Sequence, residues 1–328
     1  MDGILLNILF LVIGFVLLVK GADYFVDGAA AAAKLMKVST LVIGLTVVAF
    51  GTSAPELAVS LSAAVKGSDS MALGNVVGSN ILNFFLIMGI SAIITPIAAK
   101  KVVLKRDYTI SLIAAALVLI LGFIGQRIGR VDGIILTACV IAYVIFLIIS
   151  SKKSGDAGSD DFKALSPLKC VLFILLGLAA VVLGGQLVVA GAQTIAKALG
   201  MSEALIALTV VALGTSLPEL VTSVMAAKKG ETDLALGNVL GSNIFNLLFI
   251  LGISSTIRPM IPDTASEIIG LKETLLDLGI FLAASIIFFF PIWKKKQFTR
   301  PIGFSLVIFY AAYFAFIMMR NYGIINIF

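Results

Sequence analysis

Two glutamates lie near the middle of apolar segments, where a charged side chain is costly. Glu56 belongs to the stretch GTSAPE and Glu219 to the stretch GTSLPE, and each follows a proline directly. A carboxylate at the centre of a bilayer costs roughly 2.5–3.5 kcal/mol, and no Lys or Arg lies at comparable depth to neutralise either one. Protonated glutamates that join helices by hydrogen bonds are one explanation. We favour the other, a cation that both carboxylates share.

The prolines beside these glutamates release backbone oxygens. Pro55 has no amide hydrogen, so the carbonyl of Gly51 loses its helical partner, and Pro218 has the same effect on Gly214. Unpaired carbonyls in hydrocarbon cost several kcal/mol and persist where they line a polar cavity or meet a cation. A proline kink stabilised by Thr and Ser hydroxyls is the simpler alternative. The neighbouring acids favour the cation.

All candidate ligands in these two stretches are oxygens, which suit hard cations such as Ca²⁺, Na⁺ and Mg²⁺. They are the two carboxylates, the released carbonyls and the hydroxyls of Thr52, Ser53, Thr215 and Ser216. Mg²⁺ prefers to keep its waters, and the chain contains no His for softer metals. Two carboxylates match the charge of one Ca²⁺, or approximately that of two or three Na⁺. A site that can hold either load is what an ion exchanger needs.

A polar stripe follows each acidic stretch. Asn75, Ser79 and Asn83 recur every four residues and share one helical face, and the later helix repeats the stripe at Asn238, Ser242 and Asn246. Hydrogen bonds between helices would account for such a stripe. We favour additional Na⁺ or water ligands beside the two glutamates.

The composition is that of a polytopic membrane protein. The 328 residues are 60% hydrophobic and 13% charged, with a mean hydropathy of +1.14, whereas soluble domains are roughly a quarter charged. We predict an all-α fold with ten transmembrane helices, of which the second and seventh are broken at proline. The predicted helices span 3–31, 40–66, 71–95, 107–125, 131–150, 168–198, 203–228, 234–257, 271–293 and 301–319.

The two halves of the chain are copies of one unit. Residues 42–91 align without a gap to residues 205–254, and most positions are identical, including Pro, Glu, Asn and Ser residues that apolar composition does not favour. We predict an N-terminal repeat at 1–150 with helices one to five, a linker at 151–167 and a C-terminal repeat at 168–328 with helices six to ten. An odd number of spans per repeat inverts the second copy, an arrangement typical of secondary transporters.

The distribution of basic residues orients the chain. Most Lys and Arg residues fall in gaps on one side of the predicted helices, and the positive-inside rule assigns that side to the cytoplasm. Both termini are therefore predicted outside and the 151–167 linker in the cytoplasm of a multi-pass inner (plasma) membrane protein. An intramembrane enzyme is disfavoured, because aspartyl proteases need paired mid-span Asp and serine or zinc proteases need His. A channel would show higher conductance without strict coupling.

The paired GTSxPE and GNVxGSNIxN blocks resemble the alpha-repeats of the cation/calcium exchanger superfamily, specifically prokaryotic sodium/calcium exchangers. The resemblance implies calcium extrusion driven by sodium entry through alternating access. We also expect no cofactor, no nucleic-acid partner and no obligate protein partner. The resemblance implies a Ca²⁺ site made by Glu56, Glu219 and the carbonyls of Thr52 and Thr215. It assigns Na⁺ to the same glutamates with Ser53, Ser216, Ser79, Ser242 and the carbonyls of Ala49 and Ala212, flanked by Asn83 and Asn246.

One position departs from part of that family. Some relatives, including the potassium-dependent exchangers, carry Asp where this chain has Asn246, which argues against potassium cotransport here. A proton/calcium antiporter of the same superfamily remains the alternative, since glutamates can carry protons as well as sodium. The Ser and Asn residues beside the glutamates favour Na⁺.

Overall fold

The computed structural model describes residues 2–154, 165–199, 212–260 and 265–325. Within these ranges the chain is mostly helical. Its helices, numbered in chain order, are α1 Asp2–Met36, α2 Thr40–Thr52, α3 Ala54–Lys66, α4 Asp69–Ile94, α5 Lys101–Gly125, α6 Arg130–Ser154, α7 Pro167–Ala198, α8 Ala212–Thr215, α9 Leu217–Lys228, α10 Thr232–Ile257, α11 Ala265–Lys295 and α12 Arg300–Asn321.

Eight of the described helices are long and apolar enough to cross a membrane, and the bent pair α2 and α3 adds a ninth candidate span. The prediction of a polytopic helical membrane protein is therefore confirmed. The first part of the predicted seventh helix, 203–211, lies outside the described residues, as does most of the predicted linker, so the predicted total of ten helices stays a prediction.

Both acidic stretches interrupt a helix at serine. Ser53 lies between α2 and α3 with φ −80° and ψ 7°, and the two helices are bent by 48°. Ser216 lies between α8 and α9 with nearly the same backbone, φ −93° and ψ 8°. Pro55 and Pro218 thus stand in the first turn of a new helix, where a missing amide hydrogen is tolerated.

The chain forms two compact units, and each combines segments from both halves of the sequence. Unit 1 comprises Met1–Ala58 and Ala142–Ser242, and unit 2 comprises Val59–Ile141 and Asn243–Phe328. The two acidic stretches both belong to unit 1. The repeat boundaries predicted from the duplication describe sequence similarity and do not coincide with these units.

In unit 1, α1 and α7 pack antiparallel through glycines spaced seven residues apart. A Cβ atom added at Gly14 would lie 2.8 Å from the carbonyl oxygen of Gly184, and one at Gly21 would lie 2.9 Å from that of Gly177. Further along the same seam, the thiol of Cys170 donates to the Gly28 carbonyl at 3.2 Å. The helix backbones therefore approach closely, as small residues allow in membranes.

The same part of α1 is tied to the turn between α9 and α10. Lys229 Nζ lies 2.7 Å from Asp23 Oδ1 and also pairs with Asp27. Close packing of α10 against α2 completes this part of unit 1, since a Cβ atom at Gly237 would lie 2.6 Å from the Leu41 carbonyl oxygen. These contacts hold the two interrupted helices in place.

Unit 2 has an aromatic core and two short β contacts. The Phe85 and Phe309 rings lie 4.5 Å apart, and Phe84 stacks edge-on against Tyr108 at 5.5 Å. The fold is mostly helical, as the all-α prediction requires, and the two-residue strands β1 Ile97–Ala98 and β2 Gln297–Phe298 add one short antiparallel pairing. These connections lie outside the helices, so pairing between strands satisfies their backbone polar groups.

Candidate metal site

The two glutamates and the two serines of unit 1 form a crossed arrangement. Ser53 Oγ donates to Glu219 Oε1 at 3.0 Å, and Ser216 Oγ donates to Glu56 Oε1 at 2.9 Å. Each serine thus binds the carboxylate of the other repeat. All four residues are buried, so the two carboxylates share one closed polar region.

Threonines and an asparagine extend this polar region. Thr52 Oγ1 lies 3.1 Å from both the Val48 carbonyl oxygen and Asn238 Oδ1, and its hydroxyl proton can serve one of these acceptors at a time. Asn238 Nδ2 donates to Ser223 Oγ at 2.9 Å. Thr215 is half-buried and interacts through its side chain with Glu56. The predicted oxygen ligands of the two acidic stretches are therefore brought together.

Some buried oxygens of unit 1 have no hydrogen-bond partner among the described residues. They include Glu219 Oε2 and Ser242 Oγ, both on fully buried side chains. An unsatisfied carboxylate oxygen in a dry environment is expensive. Such atoms are the expected ligands of a bound cation.

Local helix geometry offsets only part of the cost of these charges. Glu56 and Glu219 stand in the first turns of α3 and α9, where the helix dipole stabilises an anion by about 0.3–1 kcal/mol. A hydrogen bond to a charged group adds about 1.5–3 kcal/mol. Together these terms roughly match the cost of one mid-membrane carboxylate, about 2.5–3.5 kcal/mol. The repulsion between two carboxylates remains, and a cation would remove it.

The backbone carbonyls predicted as Na⁺ ligands are less fully described. The Ala49 carbonyl oxygen accepts the amide of Ser53 at 3.1 Å and lies 3.4 Å from Thr52 Oγ1. Ala212 is the first described residue of α8, and the residues before it are outside the described ranges. Gly241 allows α10 to approach α2 closely, because a Cβ atom there would lie 2.8 Å from the Leu45 carbonyl oxygen.

The remaining predicted ligands, Ser79, Asn83 and Asn246, belong to unit 2. All three are buried, and the side-chain oxygen and nitrogen of Asn83 and of Asn246 have no hydrogen-bond partner among the described residues. The start of the first stripe is anchored, since Asn75 Nδ2 donates to Ser60 Oγ at 2.8 Å. Asn75 and Ser60 repeat within unit 2 the pair that Asn238 and Ser223 form in unit 1.

Sequence reasoning missed two features of these helices. Asn83 lies in a π-helical turn, Leu82–Ile87, and Asn246 in the equivalent turn, Phe245–Ile250; single π turns are frequent at functional sites. The second feature is the exchange of serine hydroxyls between the repeats. The spacing S-x-x-E at Ser53 and Ser216 is a capping-box signal, and it could have located the helix interruptions.

The chemistry available in unit 1 is that of a hard-cation site. The described residues contain no group of three or more His, Cys, Asp or Glu side chains that could hold a metal. Any ion bound here therefore relies on two carboxylates supplemented by hydroxyl and carbonyl oxygens. This ligand set suits a hard cation.

Known proteins with similar sequences and structures are ion exchangers and antiporters. The family model described as sodium/calcium exchanger protein matches residues 6–151 and 169–319. The putative antiporter CaxA of Alkalimonas amylolytica is 40% identical over 268 residues, which cover 79% of this chain and 83% of that protein. The sodium/calcium exchanger MaX1 of Methanosarcina acetivorans is 35% identical over 349 residues, covering 94% and 98%.

A solved structure agrees with these sequence relatives. The sodium-calcium exchanger NCX_Mj, soaked with Na⁺ and Sr²⁺, superposes with a TM-score of 0.82 at 30% identity, covering 95% of this chain and 98% of that one. The relatives are transporters, so the chain is a multi-pass transporter and not an enzyme. It belongs to the sodium/calcium exchanger protein family.

Proposed function

We propose that this protein exchanges Ca²⁺ for Na⁺ across the cell inner (plasma) membrane by alternating access, with the ions bound between Glu56 and Glu219. The observation that carries the proposal is the crossed Ser–Glu pairing, which buries both carboxylates together and leaves Glu219 Oε2 without a hydrogen-bond partner among the described residues. The family and the solved exchanger support cation/Ca²⁺ exchange.

Charge balance explains why one site can couple the two ions. Two carboxylates neutralise one Ca²⁺, or two of three Na⁺, so the buried region is stable with either load. Two carboxylates without a bound cation repel each other and are not stable there. The two loads compete for the same oxygens and cannot be held together. An exchange of three Na⁺ for one Ca²⁺ would move one net charge per cycle, worth about 2.3 kcal/mol per 100 mV.

We assign ligand roles to the oxygens of the two acidic stretches and of the polar stripes that follow them. The carboxylates of Glu56 and Glu219 and the carbonyls of Thr52 and Thr215 would hold Ca²⁺. Na⁺ would use the glutamates with Ser53, Ser216, Ser242 and the carbonyls of Ala49 and Ala212; in unit 2, Ser79, Asn83 and Asn246 stay predicted ligands. Ser242 Oγ, buried and without a partner among the described residues, supports its role most directly.

We propose ten spans arranged as two inverted repeats, 1–150 and 168–328, with helices two and seven broken beside their prolines. The nine candidate spans of the described residues and the matching interruptions at Ser53 and Ser216 support this architecture. Both termini would lie outside and the 151–167 linker in the cytoplasm. Labelling of single cysteines in the linker by a membrane-impermeant reagent, in intact cells, would contradict this orientation.

The test is Ca²⁺ uptake into Na⁺-loaded proteoliposomes. We expect uptake by the wild type and none above protein-free vesicles for Glu56→Gln or Glu219→Gln, because either change removes one of the two charges that hold Ca²⁺. Asp132→Asn, which changes an acid in the first turn of α6, is the matched control and should retain uptake.

Replacing Na⁺ by choline separates the two possible counter-ions. Loss of uptake in choline-loaded vesicles supports sodium coupling. Uptake that persists in choline and follows an imposed pH gradient would identify the proton/calcium antiporter instead. Gradient-driven uptake retained by either glutamine variant would contradict the proposed ion site.

A further inference from the structure

We propose that unit 2 carries a binding surface for anionic phospholipid headgroups, an inference that does not depend on the proposed ion exchange. Two of its segments, residues 100–106 and 294–300, contain eight basic and no acidic side chains. These eight residues, here called the basic face, are Lys100, Lys101, Lys105, Arg106, Lys294, Lys295, Lys296 and Arg300.

Backbone hydrogen bonds hold the two segments together despite their like charge. Ile97 pairs with Phe298 and Ala98 with Gln297 in the β1–β2 contact, and the amide of Ala99 donates to the Lys296 carbonyl at 2.9 Å. Across the same junction, Lys105 Nζ lies 5.9 Å from the centre of the Trp293 ring. The fold therefore concentrates positive charge at one place instead of dispersing it.

The acid that follows the first segment, Asp107, pairs with one member of the basic face. Asp107 is buried, and Arg106 engages both of its oxygens at 2.9 and 3.0 Å. The side chains of Lys101, Lys294 and Lys295 are exposed. An external anion would relieve the repulsion among them.

A second β contact in unit 2 shows that the fold does not require this charge. Ile128 and Met260 form an isolated bridge with hydrogen bonds of 3.0 and 2.9 Å, and Met260 is the residue that duplicates Ile97. In the described residues 125–132 and 254–260 around this bridge, the basic side chains are Arg127, Arg130 and Arg258, accompanied by Asp132. The concentration of basic side chains is thus specific to the β1–β2 contact and is not repeated at the Ile128–Met260 bridge.

The surroundings of the basic face point to a lipid. It lies where α11 ends and where α5 and α12 begin, which is the level of the headgroups for helices that span the hydrocarbon. Beside it, Val102 is 62% exposed and Phe290 67% exposed, so apolar surface continues toward the acyl chains. A ligand with an anionic head and an apolar tail satisfies both parts. Clusters of four to eight basic residues next to a spanning helix typically recruit anionic lipid.

The chain contains its own probe of this surface. Trp293 is the single tryptophan, it lies beside Lys294 and under Lys105, and its ring is 5.4 Å from that of Phe289. Bromine atoms on lipid acyl chains quench tryptophan fluorescence on contact. The proposed measurement therefore compares quenching by brominated phosphatidylglycerol and brominated phosphatidylcholine, for the whole protein in mixed bilayers.

We expect brominated phosphatidylglycerol to associate at Trp293 about fivefold more strongly than brominated phosphatidylcholine, the ratio that one favourable lysine contact provides. The triple variant Lys294→Gln/Lys295→Gln/Lys296→Gln should bring this ratio close to one. The control Lys34→Gln/Lys37→Gln/Lys169→Gln removes the same charge from unit 1, and should keep the wild-type ratio. Each triple variant changes one residue with a left-handed backbone, Lys296 at φ 52° in the first and Lys37 at φ 54° in the control. The two variants are therefore matched in backbone conformation as well as in charge.

Three outcomes would overturn the proposal. The first is equal quenching of the wild type by the two lipids. The second is an equal fall of the ratio in both triple variants, which would reflect net charge alone. The third is loss of the preference on adding inorganic phosphate at constant ionic strength, which would identify a site for soluble phosphate. An unchanged emission maximum without brominated lipid verifies that each variant has folded.

Discussion

Ser53 and Ser216 each stand three residues before a glutamate, in the spacing that usually lets a serine and a glutamate cap the same helix. In this protein each serine hydroxyl instead reaches the glutamate of the other repeat. The exchange makes the two carboxylates mutually dependent, because moving one interrupted helix changes the hydrogen bonding of both. Such coupling is useful where a bound ion must be sensed by both repeats.

A double-mutant cycle tests the crossed pairing. We expect Ser53→Ala and Glu219→Gln to be coupled by about 1 kcal/mol in the unfolding free energy without ions, because the two side chains share a hydrogen bond. Ser53→Ala and Glu56→Gln, two changes within the same repeat, should be coupled more weakly than this pair. The unfolding free energies of the variants in detergent supply the numbers. Stronger coupling within the repeat than between the repeats would contradict the crossed arrangement.

The types of the site residues could be predicted from sequence, whereas their pairing could not. The duplication of Pro, Glu and Ser at a constant offset, together with the cost of buried charge, identifies Glu56 and Glu219. The hydroxyl of Ser53 has two glutamates at suitable positions, one local and one in the other repeat, and the spacing alone favours the local one. The π turns around Asn83 and Asn246 carry no residue type that distinguishes them from an α-helix.

At the scale of helices, the seam between α1 and α7 depends on glycine. Gly14, Gly21 and Gly28 face a similar series at Gly177, Gly184 and Gly191, and backbone atoms lie where a side chain would begin. Backbone cannot move aside as a flexible side chain can. Because this contact extends along much of both helices, we expect α1 and α7 to move together within unit 1.

We expect Gly184→Ala to destabilise the protein by about 1–3 kcal/mol, the usual effect of overpacking. The added Cβ atom would lie 2.7 Å from both the Gly14 carbonyl oxygen and the Leu18 amide nitrogen. The control is Gly279→Ala on α11, where no atom lies within 4 Å of the added carbon; it should be neutral or stabilising by up to about 1 kcal/mol. Thermal unfolding in detergent measures both, and equal melting temperatures for the two variants would show that the seam tolerates side chains.

The turn before α10 predicts a pH dependence of stability. Glu231 is buried there, and burial first, then Asp233 and Asp27, raise the pKa of its carboxyl above 4.5, while a hydrogen bond with Thr40 opposes the shift. A raised pKa in the folded state means that the native protein binds this proton more tightly, so wild-type stability falls as pH rises through the folded pKa. We expect Glu231→Gln to gain stability relative to the wild type over this pH range. A difference in melting temperature that does not change with pH would refute the prediction.

Helix positions followed well from sequence, and helix lengths followed less well. The predicted first helix ends at residue 31, but α1 continues to Met36, and the predicted 271–293 helix is extended to Lys295 by α11. Hydropathy reports the part of a helix that lies in hydrocarbon. Residues such as Lys34 and Lys295 keep helical hydrogen bonds beyond that boundary because water and headgroups solvate their side chains.

At the scale of the whole molecule, ancestry and packing divide the chain differently. The predicted repeats are residues 1–150 and 168–328, whereas each compact unit draws segments from both halves. Sequence similarity records how the chain arose, and it contains no direct information about which helices pack together. The duplication is nevertheless visible in unit 1, where Ser53 and Ser216 each bind the glutamate of the other repeat.

The central claim is that Glu56 and Glu219 hold one Ca²⁺ between them. Isothermal titration calorimetry, in which Ca²⁺ is added to the purified, Na⁺-free protein, tests it most directly. We predict one Ca²⁺ bound per chain at this site, competition by Na⁺, and loss of binding in Glu56→Gln and in Glu219→Gln alike. Undiminished Ca²⁺ binding in either variant would show that the two carboxylates do not share the ion.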